Sequence, residues 1–304
     1  MNGYNTPILF IIFNRKSTAE RVFAKIREIK PKRLYVVADG PRANRPDDIE
    51  KCKQTRQIID NVDWDCELKT LFRENNVGCG KGVSGAIDWF FSNEEKGIIL
   101  EDDVLPNNDF FVFCEDLLER YKDVDKVKSI SGNNFNINPK YNKASYWYSS
   151  ILHVWGWATW RRAWKDYKFD LAQFSSKELK EFYKPYSVGY ESRLYWAYRA
   201  NQMRKHKVDT WDYQAAYWIW RTGGLCIQPR VPLITNIGVE TTEEQTHSFN
   251  SADDMICESR QILPIIYNDE IKQDKQADKI FHDKFNRKAL WKYPILNLKL
   301  NLGV

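Results

Sequence analysis

Pro7-Ile8-Leu9-Phe10-Ile11-Ile12-Phe13 is an unbroken apolar run, closed by Asn14-Arg15. Continuous apolarity, rather than alternation, is what a strand covered on both faces requires, and such strands belong to parallel sheets with helical crossovers. The next segment supplies the crossover. Ser17-Thr18-Ala19-Glu20 has the form of a capping box, and Val22, Phe23, Ile26 and Ile29 fall on one helical face. The rhythm then repeats. Leu34–Ala38 reads as a second strand ended by Asp39-Gly40-Pro41, and Asp47-Asp48 open a helix carrying Ile49, Cys52, Ile59 and Val62. Cys66–Phe72 and Gly82–Phe91 give a third strand and helix, Ile98–Leu100 and Asn108–Tyr121 a fourth pair. Strands separated by helices in this way predict an α/β fold with a mainly parallel sheet flanked by helices. Ligands of such sheets gather beyond the carboxyl ends of the strands. Asn14-Arg15, Asp39-Gly40, Asn75–Lys81 and Glu101-Asp102-Asp103 occupy those ends.

Past about Asn133 the rhythm stops. Tyr146–Trp164 reads as aromatic and irregular, holding Trp147, Trp155, Trp157, Trp160 and Trp164. Helices are expected at Ser176–Tyr183, Ser192–Arg204 and Trp211–Trp220, followed by a loop-rich return marked by Pro229, Pro232 and Gly238. No repeat or low-complexity linker interrupts the chain. The expected organisation is one domain over 1–250, with halves meeting near 133–134, and a C-terminal helix and basic-aromatic tail over 251–304.

Composition narrows the function classes. The 304 residues include 12 Trp, 16 Tyr and 16 Phe beside 29% charged residues, a mixture that disordered chains lack. No run approaches the roughly 18–20 apolar residues of a membrane span, and the leading segment lacks the basic residues of a secretory signal. A net charge of +5, from 46 basic and 41 acidic side chains interspersed along the chain, argues against nucleic acid as a partner. The six cysteines form no CxxC pair and have no closely spaced histidine. Free buried thiols in a reducing cytoplasm are expected.

The chemistry-bearing residues each admit two readings. Gly97-Ile98-Ile99-Leu100-Glu101-Asp102-Asp103 delivers three acids to a strand end. Carboxylates suit magnesium or manganese, which would bridge to a diphosphate; an acidic turn charging the next helix start is the plainer reading. Gly80-Lys81-Gly82-Val83-Ser84-Gly85 fits GxGxxG and opens a helix. Arg73–Cys79 separate it from its strand, however, which the dinucleotide fingerprint does not allow. A phosphate cradle with Lys81 as its cation stands beside a tight packing turn. In Asp209-Thr210-Trp211-Asp212 one aspartate is expected to cap a helix, while the other could serve as a general base. His247 sits in the late loop as a ligand or a solvated side chain. The five tryptophans are either core or flat platforms for a sugar.

Taken in order, these residues resemble the GT-A-fold nucleotide-sugar glycosyltransferases, and most of all bacterial relatives of the N-acetylglucosaminyltransferase I family. Phe13-Asn14-Arg15 with Ser17-Thr18 resembles the element whose arginine contacts the nucleotide, and Asp39 resembles the aspartate that reads the uracil ring. Glu101-Asp102-Asp103 matches the acidic motif. By that resemblance Asp103 meets the metal, Asp102 the ribose, and Glu101 lies near the sugar. Gly156-Trp157 resembles a segment lining the sugar and acceptor site, Trp211-Asp212 the element supplying the base, and Cys226–Pro229 with Gly238 and His247 the loop over the diphosphate. The likeness runs from about Pro7 to His247. It departs from the family at Tyr213, which stands where a second acid follows Trp-Asp, and a membrane anchor like that of the animal enzymes is not expected.

The resemblance implies a Rossmann-like sheet of GT-A type, nucleotide-binding in its first half and acceptor-binding in its second. It implies an inverting glycosyltransferase that takes a UDP-sugar and manganese or magnesium. A hexosyl or N-acetylhexosaminyl group would pass to a glycan or lipid-linked acceptor, with Asp212 as base and Lys81 beside the nucleotide. The rivals are an NAD-dependent oxidoreductase, built on Gly80–Gly85, and a non-catalytic carbohydrate-binding protein, built on the tryptophans. The tail, with Arg287, Lys288, Trp291, Lys292 and Tyr293 before Ile295, Leu296, Leu298, Leu300 and Leu302, suits either peripheral contact with the inner face of a membrane or docking on the domain.

Overall fold

The computed structural model describes residues 3–137, 143–238, 257–285 and 293–302. The first half runs β1 (Ile8–Ile12), α1 (Lys16–Ile29), β2 (Arg33–Ala38), α2 (Asp47–Arg56), β3 (Glu67–Phe72), α3 (Cys79–Asn93), β4 (Lys96–Glu101), β5 (Val104–Pro106) and α4 (Asn108–Arg120). The second half adds β6 (Val127–Ser131), β7 (Tyr146–Ser149), β8 (Trp157–Trp160), α5 (Arg161–Trp164), α6 (Ser176–Tyr183), α7 (Tyr190–Arg204), α8 (Asp212–Arg221), β9 (Leu225–Pro229), β10 (Ile234–Asn236), α9 (Lys275–Phe285) and α10 (Tyr293–Leu302).

Eight strands form one sheet in the order β3-β2-β1-β4-β8-β6-β9-β7, and β5 pairs with β10 in a small second sheet. The four strands expected from the apolar runs are mutually parallel, with β1 between β2 and β4. The fold class is therefore the expected Rossmann-like α/β sheet. Its first strand explains why. Ile8, Phe10 and Ile12 pack into one core layer with Val22 and Ile26 of α1 and Phe110 and Leu117 of α4. Leu9 enters the opposite layer with Val83, Ile87 and Phe90 of α3. Each fully buried side chain of this size contributes about 1.5–3 kcal/mol, and alternating polarity on β1 would forfeit one layer.

Three expectations are corrected. Ser17–Glu20 is not a capping box. The helix already begins at Lys16, with Arg15 at the cap position and no side-chain cap bond; the Thr18 hydroxyl instead donates back to the Arg15 carbonyl at 3.2 Å. The reciprocal box occurs at Ser175 and Glu178. Tyr146–Trp164 is not irregular, because it supplies β7 and β8, and β8 inserts antiparallel between β4 and β6. A four-residue strand buried at every position shows no polar alternation to read. The cysteines are free, but Cys79 is exposed and Cys66 half-buried rather than both being buried.

At the other end α10 rests on the domain. Tyr293 is buried, with its ring 5.4 Å from Tyr195 and 5.5 Å from Tyr198 of α7, while Ile295 and Leu298 are exposed. Arg287, Lys288, Trp291 and Lys292 lie outside the described residues. No described helix is long and apolar enough to cross a membrane.

Candidate active site

The acids at the end of β4 meet an arginine at the end of β1. β1 and β4 are adjacent and parallel, so the residues following them emerge side by side. The Arg15 guanidinium donates to Asp103 Oδ2 at 3.0 Å and also to Asp102 Oδ1. Asp102 accepts a further bond from the Phe13 amide at 3.3 Å. Burial works against charge on Arg15, but Asp102 and Asp103 outweigh it and hold the guanidinium firmly protonated. Burial in turn raises the Asp102 carboxyl above its ordinary value, against the opposing pull of Arg15.

Glu101 completes the cluster. Its carboxyl is pushed up to about 8, first by burial and then by Asp103 and Asp102, with a smaller contribution from Asp212. Three carboxylates thus share one arginine. Trp211, next to Asp212, stacks on Trp157, which pairs with Ile99 of β4, and this brings the start of α8 to the same edge. Asp212 is half-buried, and Oδ1 accepts from the Thr210 hydroxyl and the Tyr213 amide. Oδ2 has no hydrogen-bond partner among the described residues.

The glycine-rich helix start has a different role from the expected one. Asp209, not a phosphate, occupies it: Oδ2 accepts from the Cys79 amide and Oδ1 from the Gly80 amide, each at 2.8 Å. Lys81 is exposed on the first turn of α3. Asp39, at the end of β2, accepts from the Val77 amide at 3.1 Å and the Gly40 amide at 3.0 Å, with Arg73 Nη1 at 3.9 Å. Burial raises its carboxyl above the ordinary range, while those amides and Arg73 pull it back.

The tryptophans are core, divided between the two layers and a small third cluster. All five of Trp147, Trp155, Trp157, Trp160 and Trp164 are buried. Trp157 stacks on Trp211 with ring centroids 5.6 Å apart and planes 24° apart, and Trp164 stacks on Tyr167 at 4.1 Å. The Tyr167 hydroxyl donates to the Trp211 carbonyl at 3.1 Å. Trp157 and Trp211, 0% and 3% exposed, offer no open face for a sugar to stack on. They fix the backbone from which Asp212 projects. His247 lies outside the described residues.

Several residues at this edge have partners that the sequence does not show. Asp48 is fully buried beneath the loop after β2, accepting from Asn14 at 2.8 Å and twice from the Arg42 guanidinium. Arg73 stands beside Asp39, and its guanidinium also lines the α3 face near Gly82 and Gly85. Gly238 closes the acid cluster from above: a Cβ there would lie 2.5 Å from Asp103 Oδ2 and 3.1 Å from Arg15 Nη1. Asp48 was visible as one of two acids opening a helix and Gly238 as part of the late loop; Arg42 and Arg73 carried no signal.

Among the described residues no group of three His, Cys, Asp or Glu is arranged to hold a metal ion. A cation held by one or two carboxylates and completed by substrate phosphates needs no such cage. Asp103 offers hard oxygen donors of that kind, in a cluster whose acids outnumber its arginine.

No protein-family model and no curated protein matches the chain. Among solved structures it is similar to S. aureus TarS 1-349, at 13% identity and a TM-score of 0.41, covering 66% of this chain and 68% of that one. A UDP-glucose pyrophosphorylase complexed with UDP-glucose matches at 10% identity and a TM-score of 0.40, covering 78% and 95%. HddC from Yersinia pseudotuberculosis matches at 10% identity and a TM-score of 0.32, covering 53% and 80%. At such scores the functional reading rests on the site alone.

Proposed function

We propose that the chain is an inverting glycosyltransferase that moves a sugar from a UDP-sugar to an acceptor hydroxyl on a glycan or lipid-linked substrate. The observation that carries this reading is the pairing of Asp102 and Asp103 with Arg15 at the end of β4, with Trp211, the neighbour of Asp212, stacked on Trp157 of the adjacent strand. Asp103 would hold a divalent cation together with the diphosphate; when bound, the cation neutralises charge developing on the leaving group. Arg15 and Asp102 position the nucleotide, with Asp39 and Lys81 at its edge. Asp212 Oδ2 takes the proton of the attacking hydroxyl, while Trp211 and Trp157 hold that carboxylate in place. One deprotonation and one displacement at the anomeric carbon imply inversion. Side-chain contributions are then mainly positioning and electrostatics.

Both rivals lose support. At the helix start that suggested NAD the Cys79 and Gly80 amides are on Asp209, and the tryptophans that suggested a sugar platform are buried. A thermal-shift panel of UDP, UDP-sugars, GDP, CDP and NAD, each with and without manganese, tests the reading. Ligand at about 100 times its dissociation constant stabilises by about 2.7 kcal/mol. Stabilisation by UDP compounds, increased by manganese and absent in Asp103→Ala, is expected. Stabilisation by NAD and not by UDP would overturn the proposal.

A further inference from the structure

The glycine-rich turn that looks like a phosphate cradle is filled from within the chain by a residue 130 positions away. The fit is close. A Cβ on Gly78, which has φ +85°, would lie 2.4 Å from Asp209 Oδ2; one on Gly80 would lie 2.8 Å from Asp209 Oδ1 and 2.7 Å from the Thr210 carbonyl. The segment engaged here leads straight to the base. Thr210, the residue after Asp209, donates its hydroxyl to Asp212 Oδ1, and its carbonyl accepts from Gln214 at 2.8 Å. Trp211 between them is held by Trp157 and Tyr167. Trp157 in turn pairs with Ile99 of β4, two residues before Glu101. The joint therefore lies beside the strand that carries the acid cluster.

We infer that Asp209 is a positioning residue: by latching the 209–212 segment onto the first amides of α3, it fixes the Asp212 carboxylate relative to Glu101. A carboxylate on two amides at a helix start is favoured twice, by charge-assisted hydrogen bonds and by the helix dipole. The bare glycines allow it to approach that closely, which is the reason for GxG at this turn. The inference rests on the proposed role of Asp212, and it excludes the donor diphosphate from the helix start.

Asp209→Ala, Asp209→Asn and Gly80→Ala test it from both sides of the joint. The first readout needs no substrate. Amide hydrogen exchange in Asp209→Ala should quicken at least tenfold both at residues 79–80 and at 210–213, with Asp209→Asn intermediate. Faster exchange at 79–80 alone overturns the inference, whether or not any UDP-sugar is turned over. The second readout is steady-state release of UDP from UDP-sugar, using whichever donor stabilises the protein. In all three variants kcat should fall at least tenfold with donor KM within about twofold, and Asp209→Asn should recover part of the loss. A rise in KM with unchanged kcat would place Asp209 on the donor instead. Inorganic phosphate or UDP protecting 79–80 in Asp209→Ala but not in the parent is expected. Equal protection in the parent, with Asp209 displaced, contradicts a permanent latch.

Discussion

Glu101→Gln gives a stability signature whose sign follows from the acid cluster. In the folded chain the Glu101 carboxyl is raised from its ordinary value of 4.5 to about 8. Between those values the native state holds a proton that the unfolded chain has released, so stability falls as pH rises through this window. Each pK unit corresponds to about 1.4 kcal/mol. The whole interval would amount to about 5 kcal/mol, and adjustment of Arg15 and entry of water reduce this to about 2–3 kcal/mol. Glutamine matches glutamate in shape but does not titrate. Urea denaturation of both proteins between about pH 5 and pH 9 isolates the effect, since every other group is common to the pair. The variant should gain about 2–3 kcal/mol on the parent across that range. Asp103→Asn in the same background should shrink the gain, because Asp103 is the largest charge acting on Glu101. A difference that stays flat within about 0.5 kcal/mol, or favours the parent as pH rises, refutes a crowded, buried carboxylate at this position.

Asp48 has the opposite sign. The Arg42 side chain holds its carboxyl down at about 2, so the stability it contributes is present above its ordinary 3.8 and is lost as pH falls through about 2. With Arg42 39% exposed, acid titration should cost the parent roughly 1–2 kcal/mol more than Asp48→Asn, measured by circular dichroism. Gly238→Ala places a methyl group against Asp103 and Arg15. It should weaken UDP binding about tenfold by calorimetry, some 1.4 kcal/mol, and cost about 1–3 kcal/mol in urea through overpacking. Trp157→Ala empties a wholly buried site and should destabilise by about 3–5 kcal/mol in urea. Unchanged stability with lost sugar affinity would make Trp157 a platform after all.

The sheet was legible because β1, β2 and β4 are buried on both faces, while β3, exposed or half-buried throughout, follows from its place in the rhythm. Ile8–Ile12 and Ile98–Leu100 have no alternative to a covered position, and their parallel order follows from the helices between them. What escaped is what depends on distant partners. The WATW segment at Trp157–Trp160 reads as aromatic clutter until β4 and β6 flank it. The Gly80–Gly85 helix start looks like a phosphate cradle, and the Cys79 and Gly80 amides there are poised for an anion; nothing local says that the anion is Asp209. Capping at Ser17–Glu20 fails for a similar reason, since Arg15 occupies the cap position while its side chain pairs with Asp102 and Asp103. The acids of Glu101–Asp103 were visible as a motif. Their crowding onto one arginine, and the approach of Asp212, were not.

Asp212 as base in a UDP-sugar transferase is tested most directly by turnover and binding measured on the same preparations. Parent and Asp212→Asn proteins would be supplied with a stabilising UDP-sugar and manganese, with UDP release followed alongside calorimetric donor affinity. A positioned general base contributes about 10²–10⁴-fold. The expected result is a loss of that size in the variant with donor affinity unchanged. Equal turnover by the two proteins, or no binding of any UDP-sugar by the parent, contradicts it.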